Sequence, residues 1–480
     1  MMNLPNNPTD SAALLAQLQA FKGQDLPARG GRVFAYNYEA GEDVDALVDA
    51  AYTLFLKENA LDPTVTPSAM RLENEVVAMV ASKLGGDART VGTFTSGGTE
   101  SVMLACLAAR RHAEQTRPEV VEPEIVLPVT AHASFHKAAS FFRLKSVLVD
   151  VDVDTFRVDP AAVAAAITPN TIMLVGSAPA YAHGACDPIP ALGALAQERG
   201  LWLHVDACIG GWVLAMMPDA GEPAPAFDMS VPGVTSLSVD LHKYGYAAKG
   251  ASVLLYADAE LRLGQWFASS NWTGYTVINP TLQSTKSAGP VAAAWAVLKR
   301  LGTSGYVERV KQMRAAARDL ADAIEAHPDL RLLARPETTL MSFTSPTVGI
   351  FHIIDEMRER GWYIQPQLSF RHYPANIHLS VNPGNCAHID AFLRDLGEAV
   401  DAARPLPVGE VRGQLGSLLG RLGEVGLSPE VFPELLAAAG VTSQGLPERM
   451  AGINELLDAL PPTVREQVLI RFLNGLYLPS

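Results

Sequence analysis

Lys243 is foremost among the residues whose type and position could do chemistry. It lies in the stretch VTSLSVDLHKYGYAAKG, residues 234–250, where an apolar, β-branched run stops abruptly at His242 and Lys243. Such a run is typical of a buried strand. Ligands of open α/β sheets bind beyond the carboxyl ends of the strands, and a lysine amine that attacks a carbonyl there forms a Schiff base. We therefore predict that Lys243 binds a carbonyl compound, with a surface loop lysine as the alternative.

A glycine-rich loop supplies a second chemical feature. In VGTFTSGGTESVMLACLAARRHAEQ, residues 91–115, the residues Gly97, Gly98 and Thr99 stand directly before an apolar-periodic helix. Backbone N–H groups at a helix N-terminus bind anions. We therefore predict a phosphate cradle at these three residues. An ordinary glycine turn is the alternative, because Gly-Gly turns are common.

Two polar side chains follow other predicted strands. The run at residues 201–205 leads into Asp206, whose carboxylate needs a cationic or hydrogen-bonding partner in so apolar a context. A protonated pyridine nitrogen would be such a partner, and so would the N–H groups of the following turn. The run at residues 125–129 leads to His132, which either stacks on a flat heteroaromatic ring or is satisfied within its own loop. His136 is the competing candidate.

An anion site, a partner for a pyridinium nitrogen and a Schiff-base amine are the parts that hold pyridoxal 5′-phosphate. No other common cofactor requires all three. The three features occur in the chain in the order Gly97–Thr99, Asp206 and Lys243. We therefore predict that the chain binds pyridoxal phosphate, and we predict no metal site.

The elements that position these residues are short apolar strands alternating with helices, a pattern that predicts an α/β fold with a mostly parallel sheet. Helices are predicted near residues 10–21 and 44–58, and Ser68 is predicted to cap the next one. We divide the chain as follows: residues 1–74 form an N-terminal arm with helices, 75–300 a large cofactor-binding domain, 301–404 a small α+β domain, and 405–480 a helical C-terminal extension.

Composition excludes several classes of function. The 480 residues include 37 Lys and Arg against 51 Asp and Glu, a net charge of -14, which argues against nucleic acid or an anionic membrane as the main partner. Four cysteines without CxxC spacing are expected to be reduced thiols. The N-terminal residues do not resemble a signal peptide, and no window approaches 18 apolar residues, so we expect a cytoplasmic protein without a membrane span.

Four strings in the chain, TSGGTES, HASFHKAA, HVDACIGG and SVDLHKYGYAAKGASVLLY, closely resemble the sphingosine-1-phosphate lyases. These belong to the group II decarboxylases among the fold-type I, aspartate aminotransferase-like enzymes that use pyridoxal phosphate. The resemblance runs from about Tyr38 to about Arg404. It implies that Lys243 forms the internal aldimine with the cofactor, that Asp206 pairs with the pyridine nitrogen and that His132 stacks on the ring. Residues implied to hold the cofactor phosphate are Gly98, Thr99 and His242.

The resemblance also implies a homodimer with both active sites at the subunit interface. The segment TLQSTKSAGP, residues 281–290, resembles one that reaches the phosphate in the neighbouring subunit. In it, Thr285 stands where the family has serine and Lys286 where it has arginine, and we count Thr285 and Ser287 among the cofactor-binding residues. Further matches to family residues are Tyr38, near the substrate, Lys249, a second lysine, Cys208 and His183.

Two departures from the family bear on the substrate. Asp62 stands where the family has a histidine that serves the substrate phosphate, and a carboxylate repels that phosphate unless a cation lies between them. The family's active-site tyrosine falls on Val277, with Tyr275 two residues away. Both differences affect the substrate assignment and leave the cofactor assignment untouched.

The expected function is a carbon–carbon lyase that cleaves a phosphorylated long-chain amino alcohol by a retro-aldol reaction, giving a fatty aldehyde and phosphoethanolamine. The candidate acids and bases are Tyr38, Lys249 and Tyr275. The alternative is an amino-acid decarboxylase of the same cofactor class, and a non-enzymatic scaffold fits only if the cofactor does not bind. For the C-terminal extension we expect a role in packing or in covering an interface, and the alternative is that it shapes a substrate channel.

Overall fold

The structure, a computed structural model, describes residues 3–23, 25–26, 29–409, 431–438 and 447–478. Its centre is a seven-stranded sheet with the order β1-β7-β6-β5-β4-β2-β3. All strands run parallel except β7, which is antiparallel to both of its neighbours. The strands are β1 (Val91–Thr95), β2 (Glu124–Pro128), β3 (Lys145–Val149), β4 (Thr171–Ser177), β5 (Trp202–Asp206), β6 (Ser236–Asp240) and β7 (Ser252–Tyr256).

Helices cover both faces of this sheet, which explains why the strands read as unbroken apolar runs rather than as alternating patterns. Every residue of the five strands β2, β4, β5, β6 and β7 is buried. The predicted α/β class with a mostly parallel sheet is therefore confirmed. The helices of this region are α3 (Pro67–Lys83), α4 (Gly98–Thr116), α5 (Ser134–Phe142), α6 (Pro160–Ala166), α7 (Ile189–Arg199), α8 (Gly211–Met216) and α9 (Ala259–Leu263).

Several predicted boundaries need correction. Ser68 is not the N-cap of α3, because that helix begins at Pro67 with Thr66 before it; proline suits a first helical position, where its missing N–H is not needed. Strand β5 begins at Trp202, one residue later than predicted, and ends at Asp206, as the sequence predicts. Helix α3 also continues through residue 74, where the arm was predicted to end. The division into four domains otherwise stays a prediction.

The N-terminal helices are α1 (Ser11–Lys22) and α2 (Glu42–Phe55). Helix α2 packs along α10 (Gly289–Ala326), which is interrupted by non-helical backbone at Gly302, φ 55°. Between the large sheet and α10, a hairpin of β8 (Phe267–Ser269) and β9 (Val277–Asn279) projects from the chain. The break at Gly302 lies next to residue 301, where we place the start of the small domain.

An antiparallel sheet follows α10, with the order β10-β11-β13-β12. Helices α11 and α12 pack against each other beside it, and together they form the α+β part of the predicted fold. Its elements are β10 (Arg331–Leu332), β11 (Leu340–Thr344), α11 (Ile350–Glu359), β12 (Gln365–Gln367), β13 (Asn376–Ser380), a 3₁₀ helix (Pro383–His388) and α12 (Ile389–Ala403).

The C-terminal extension contains α13 (Val431–Ala438), α14 (Ala451–Ala459) and α15 (Pro462–Leu476). Asp355 of α11 accepts hydrogen bonds from the backbone N–H groups of Met450 and Ala451, both at 2.9 Å, so it satisfies the start of α14. Residues 410–430 and 439–446 of the predicted helical extension lie outside the described residues. Among the described helices, none has the length and apolar character needed to cross a membrane.

Candidate active site

The predicted site residues meet at one edge of the central sheet. Strands β1, β2, β5 and β6 run in the same direction, so their carboxyl ends share that edge. The loops after β1 and β6 and the last residue of β5 bring Gly97–Thr99, Lys243 and Asp206 to the wall of a single cavity of about 310 Å³. His132, which follows β2, and His242 line the same cavity. The proximity expected of these residues is therefore confirmed.

The glycine loop approaches the neighbouring loops too closely for side chains. A Cβ atom on Gly98 would lie 2.8 Å from the Cys208 sulfur and 2.9 Å from both carboxylate oxygens of Asp240. Gly97 has φ 152°, a conformation that favours glycine. The loop thus exposes backbone N–H groups at the first turn of α4, beside Thr99. This arrangement is the one that anion binding at a helix N-terminus requires.

Glu100 keeps this loop in place. Its carboxylate accepts a hydrogen bond from Ser96 N at 2.7 Å and another from Leu282 N at 2.8 Å. The buried carboxylate therefore ties the cradle to the segment that precedes α10. Both oxygens of this carboxylate are thus engaged by backbone N–H groups.

Lys243 follows β6 by three residues, and Asp240 holds its amine. The Nζ atom lies 2.9 Å from Asp240 Oδ2, and the carboxylate is buried. Burial lowers the pKa of Lys243, but the attraction of Asp240, helped by Cys208 and Tyr38, outweighs burial and raises the pKa above its ordinary value. Asp240 was not identified from the sequence, because the only available signal was an aspartate three residues before the lysine.

The same carboxylate faces His242. His242 Nε2 lies 3.5 Å from Asp240 Oδ2, and Nδ1 accepts a hydrogen bond from Ala251 N at 3.2 Å. That bond assigns the proton to Nε2, on the side of Asp240. Burial lowers the pKa of His242, and the attraction of Asp240 only partly opposes it. The other oxygen of the carboxylate, Oδ1, is buried and has no partner within the described chain.

Asp206 lies on the floor of the cavity at the end of β5. Its Oδ1 accepts a hydrogen bond from Cys208 N at 3.1 Å, which confirms the turn-capping alternative. The side chain also lines the cavity, so capping and a role toward a ligand are compatible. Cys208 in turn lies 3.2 Å from Ser238 Oγ and fixes the same turn to β6.

His132 is satisfied within its own loop, which is one of the two alternatives that the sequence left open, and its stacking on a ring stays a prediction. Its Nδ1 lies 2.9 Å from Ser134 Oγ and accepts from Ser134 N at 3.2 Å, so the ring is fixed within its own loop. The ring nevertheless lines the cavity, where it meets Tyr181 edge-on at 6.5 Å between centroids. His136, the competing candidate, is not among the residues that line this cavity.

Tyr38 and Lys249 lie next to Lys243 rather than on the cavity wall. Burial raises the pKa of Tyr38 to about 12, with the charge of Lys243 acting in the opposite direction. Lys249 Nζ lies 5.2 Å from the centre of the Tyr38 ring and donates to Tyr36 O at 3.0 Å. Burial, with the charge of Lys243, lowers the pKa of Lys249.

The other predicted residues do not line the cavity of their own chain. Tyr275 is 69% exposed beside Trp272, on the loop between β8 and β9. Thr285 is also exposed. The Ser287 hydroxyl donates to Leu56 O at 2.7 Å and accepts from Gly289 N at 3.0 Å, so it joins the end of α2 to the start of α10. Within one chain, the structure brings none of the three to Lys243.

Neither of the two positions that depart from the family, Asp62 and Val277, lines the cavity. Asp62 is exposed and accepts hydrogen bonds from the backbone and hydroxyl of Thr64, at 2.8 and 2.6 Å, which lower its pKa. An isolated bridge pairs Asn59 with Ser287, so the turn that carries Asp62 adjoins the predicted intersubunit segment. Val277 begins β9, close to Tyr275.

These residues fit pyridoxal phosphate. A glycine cradle that any Cβ would fill suits the phosphate, the buried Asp206 suits a protonated ring nitrogen, and Lys243 supplies the amine. Within the described chain, the unpartnered Oδ1 of Asp240 also points to a group that completes the site. The chemistry of this donor set is that of the cofactor predicted from the sequence.

Comparison with protein families gives the same assignment. The model described as “Pyridoxal-dependent decarboxylase conserved domain” matches residues 29–345. A second model, “Pyridoxal-dependent enzyme, C-terminal putative HTH domain”, matches residues 413–475, which lie wholly within the predicted C-terminal extension. The cofactor of the chain is therefore pyridoxal phosphate.

Individual relatives and solved structures show which members of the family are similar to this chain. The sphingosine-1-phosphate lyase of Oryza sativa subsp. japonica is 36% identical over 439 residues, which cover 89% of this chain and 80% of the relative. The solved structure of the Burkholderia pseudomallei sphingosine-1-phosphate lyase has a TM-score of 0.80 and 36% identity, covering 89% of this chain and 98% of that one. Glutamate decarboxylase of Lactobacillus brevis, at 19% identity and a TM-score of 0.74, shares the fold.

Proposed function

Because the chain belongs to the sphingosine-1-phosphate lyase group of the pyridoxal-dependent decarboxylase family, we propose that its substrate is a phosphorylated long-chain amino alcohol. The reaction is a carbon–carbon cleavage that yields a fatty aldehyde and phosphoethanolamine. One observation carries the proposal: Lys243, Asp206 and the Gly97–Thr99 loop line one cavity in a chain this similar to a solved lyase.

Each residue of the cavity has a defined task. When bound, pyridoxal phosphate supplies a carbonyl for an amine and a ring that accepts the electron pair of a bond broken at the α-carbon. Lys243 would provide the amine, and Gly97–Thr99 with His242 would hold the phosphate. Asp206 would pair with the ring nitrogen, and His132 would stack on the ring. Asp240 orients Lys243 and His242.

The proton transfers fall to Tyr38 and Lys249. A hydroxyl whose pKa is about 12 stays protonated at neutral pH, so Tyr38 acts as a hydrogen-bond donor and proton donor. Lys249 is the better base, because burial lowers its pKa toward the working range. Tyr275 serves only if a neighbouring subunit brings it to the cavity.

Amino-acid decarboxylation is the second candidate, and Asp62 favours it. A carboxylate in place of a histidine that serves the substrate phosphate weakens the case for a phosphorylated substrate. The same cofactor site would then release carbon dioxide instead of an aldehyde. The lyase stays the first proposal because of the similarity to lyases over most of the chain.

The two candidates give different products from the purified enzyme. We expect fatty aldehyde from dihydrosphingosine phosphate and no carbon dioxide from a panel of amino acids. Lys243→Ala should abolish the product, whereas Lys311→Ala, an exposed lysine of α10, should leave it unchanged. Carbon dioxide from an amino acid without any aldehyde from the lipid would overturn the lyase proposal.

The homodimer is a further proposal. Its support is that Tyr275, Thr285 and the ring of Trp272 are exposed in one chain. The resemblance assigns Thr285 to the active site of the neighbouring subunit, and Tyr275 lies two residues from the position of the family's active-site tyrosine. We expect a mixture of inactive Lys243→Ala and a Thr285→Glu variant to regain part of the activity, because a mixed dimer contains one intact site. No recovery from refolded mixtures would contradict a shared site. A cytoplasmic location and the lack of a nucleic-acid partner also remain proposals.

A further inference from the structure

Tyr36 has a strained backbone conformation that none of the proposed tasks uses. Its φ is 64°, and Asn37 N donates to Ala35 O at 2.7 Å across it, so the three residues form a tight turn. A tyrosine at such a φ has a steric cost that a glycine would avoid. Strain of this kind persists only where the surrounding structure enforces it, and it is common at active sites. The direct consequence of the turn is the direction of the Tyr36 carbonyl.

The Tyr36 carbonyl faces the amine of Lys249. Lys249 Nζ donates to Tyr36 O at 3.0 Å and to His242 O at 3.4 Å, so one acceptor comes from the N-terminal segment and the other from the loop after β6. The amine lies 5.2 Å from the centre of the Tyr38 ring. In the described part of the chain, both hydrogen bonds of this amine go to backbone carbonyls, and the one to Tyr36 is the shorter. The Tyr36 carbonyl is therefore the main contact that directs the proposed base.

Three ionisable groups of β6 and the loop after it interact with the Lys249 amine. Burial lowers the pKa of Lys249, the charge of Lys243 lowers it further, and Asp240 opposes both. His242 is the third group: burial lowers its pKa, and the charges of Lys243 and Lys249 act in the same direction. A carbonyl that accepts a hydrogen bond from an ammonium group favours the charged form of that group. The Tyr36 carbonyl therefore acts against burial and against Lys243.

Gln365, the first residue of β12, holds the side chain of this turn. Its Nε2 donates to the Tyr36 hydroxyl at 3.0 Å, and its Oε1 accepts a hydrogen bond from the Tyr181 hydroxyl. Tyr181 lines the cofactor cavity. The chain around the amide is tied to the chain ahead of the turn, because Tyr363 forms a parallel bridge with Val33. The Gln365 amide thus connects the wall of the cofactor cavity to the strained turn.

We propose that Tyr36 and Gln365 are positioning residues for the Lys249 amine. The Tyr36 carbonyl fixes the amine, and Gln365 enforces the strained turn by bridging the Tyr36 hydroxyl to Tyr181. The inference deepens the proposed function and rests on it only in treating Lys249 as the base of the reaction. The contacts that hold the amine do not depend on which substrate the enzyme cleaves.

The test is the pKa of Lys249 in the substrate-free holoenzyme, measured by competitive acetylation against pH with the labelled peptide quantified by mass spectrometry. Tyr36→Pro excludes the turn, because proline fixes φ at about −65°, and loss of the carbonyl should lower the pKa of Lys249 by about one unit. Tyr36→Phe and Gln365→Leu each break the bond between hydroxyl and amide, so each should lower it by about 0.3–0.5 units, and the double variant by no more. The matched controls Tyr477→Phe and Gln467→Leu, at exposed positions of the C-terminal extension, should leave it unchanged.

Aldehyde release from the lipid substrate gives a second measurement. A reaction that needs neutral Lys249 rises with pH through the pKa of this residue, so the rise in kcat/KM should move to lower pH in the same variants, and its maximum should fall. An unchanged pKa of Lys249 in Tyr36→Pro, or additive shifts in the double variant, would overturn the inference. If Tyr36→Pro fails to fold, the pKa of Lys249 in Tyr36→Phe and Gln365→Leu decides. Absence of aldehyde with the unmodified enzyme would contradict the lyase proposal and leave the acetylation result valid.

Discussion

Replacing Asp240 by asparagine should make the Lys243 amine lose its proton at a much lower pH. The two charges are 2.9 Å apart, and at an effective dielectric constant of about 20 their attraction is worth about 6 kcal/mol. Burial acts against the charged amine and is not removed by the substitution. Since about 1.4 kcal/mol corresponds to one pH unit, the full attraction corresponds to about four units, and we expect the pKa of Lys243 to fall by at least two of them.

This change can be measured through cofactor uptake. Only the neutral amine attacks a carbonyl, so the rate at which cofactor-free protein recovers the absorbance of the bound cofactor should rise with pH. In Asp240→Asn that rise should begin at a pH at least two units lower than in the unmodified protein. Asp187→Asn is the matched control, because Asp187 is equally buried but accepts its hydrogen bonds from Ser177 N and Val158 N.

The same pair predicts the pH range in which stability is lost. Because folding raises the pKa of Lys243, the pair stabilises the folded protein below about pH 10.5, and this stability is lost as the pH rises through the pKa of Lys243 in the folded protein. Because folding lowers the pKa of Asp240, the pair also contributes stability above about pH 3.8, which is lost as the pH falls through the pKa of Asp240 in the folded protein. At pH 7 both contributions are present, so cofactor-free Asp240→Asn should lose about 3–5 kcal/mol of unfolding free energy. Identical pH profiles for cofactor uptake in the variant and the unmodified protein would refute the reasoning.

Three further substitutions test the cavity. Lys243→Ala should eliminate the absorbance of the covalently bound cofactor, and persistence of that band would disprove the Schiff-base role. Gly98→Ala should reduce cofactor affinity at least tenfold and unfolding free energy by about 1–3 kcal/mol, because its Cβ would lie 2.8 Å from a sulfur atom. The control is Gly397→Ala, inside α12 with no atom within 4 Å, which should leave cofactor affinity unchanged and raise the unfolding free energy by up to about 1 kcal/mol. Equilibrium dialysis and urea unfolding measure the two quantities. Tyr38→Phe should lower kcat by a larger factor than it changes KM in steady-state assays, since it removes a proton donor and keeps the ring. Changes of equal size in kcat and KM would argue against that role.

The cofactor site could be predicted because each of its parts is encoded locally. Lys243, Asp206 and Gly97–Gly98 each follow an apolar run, and the ends of parallel strands necessarily share one edge. The chain order of the features therefore sufficed to place them together. What the sequence did not reveal was Asp240, because an aspartate at a strand end is ordinarily a turn residue. Its partnership with Lys243 depends on how tightly the chain turns after β6.

Residues assembled from distant segments escape such reasoning. Beside the cofactor cavity, a further cavity is lined by Thr130, His183 and Asn376, which lie in three separate parts of the chain and share no pattern. For Tyr275, Thr285 and Ser287 the difficulty is different. Their proposed roles depend on a second copy of the chain, so neither a local pattern nor the fold of one chain brings them to the cavity.

The sequence leaves two alternatives for His132, hydrogen bonding within its loop and contact with a ligand, and the fold makes these alternatives compatible. The two interpretations, a ring fixed by Ser134 and a ring that covers a ligand, are treated as alternatives in the sequence because both use the same side chain. Different atoms of the ring serve the two roles. Nδ1 makes hydrogen bonds within the loop, while the remainder of the ring lines the cavity. Fixing the ring by one nitrogen is what holds it in place to cover a flat ligand, since a free side chain would lose rotational entropy on stacking. The local hydrogen bond therefore supports the functional interpretation of His132.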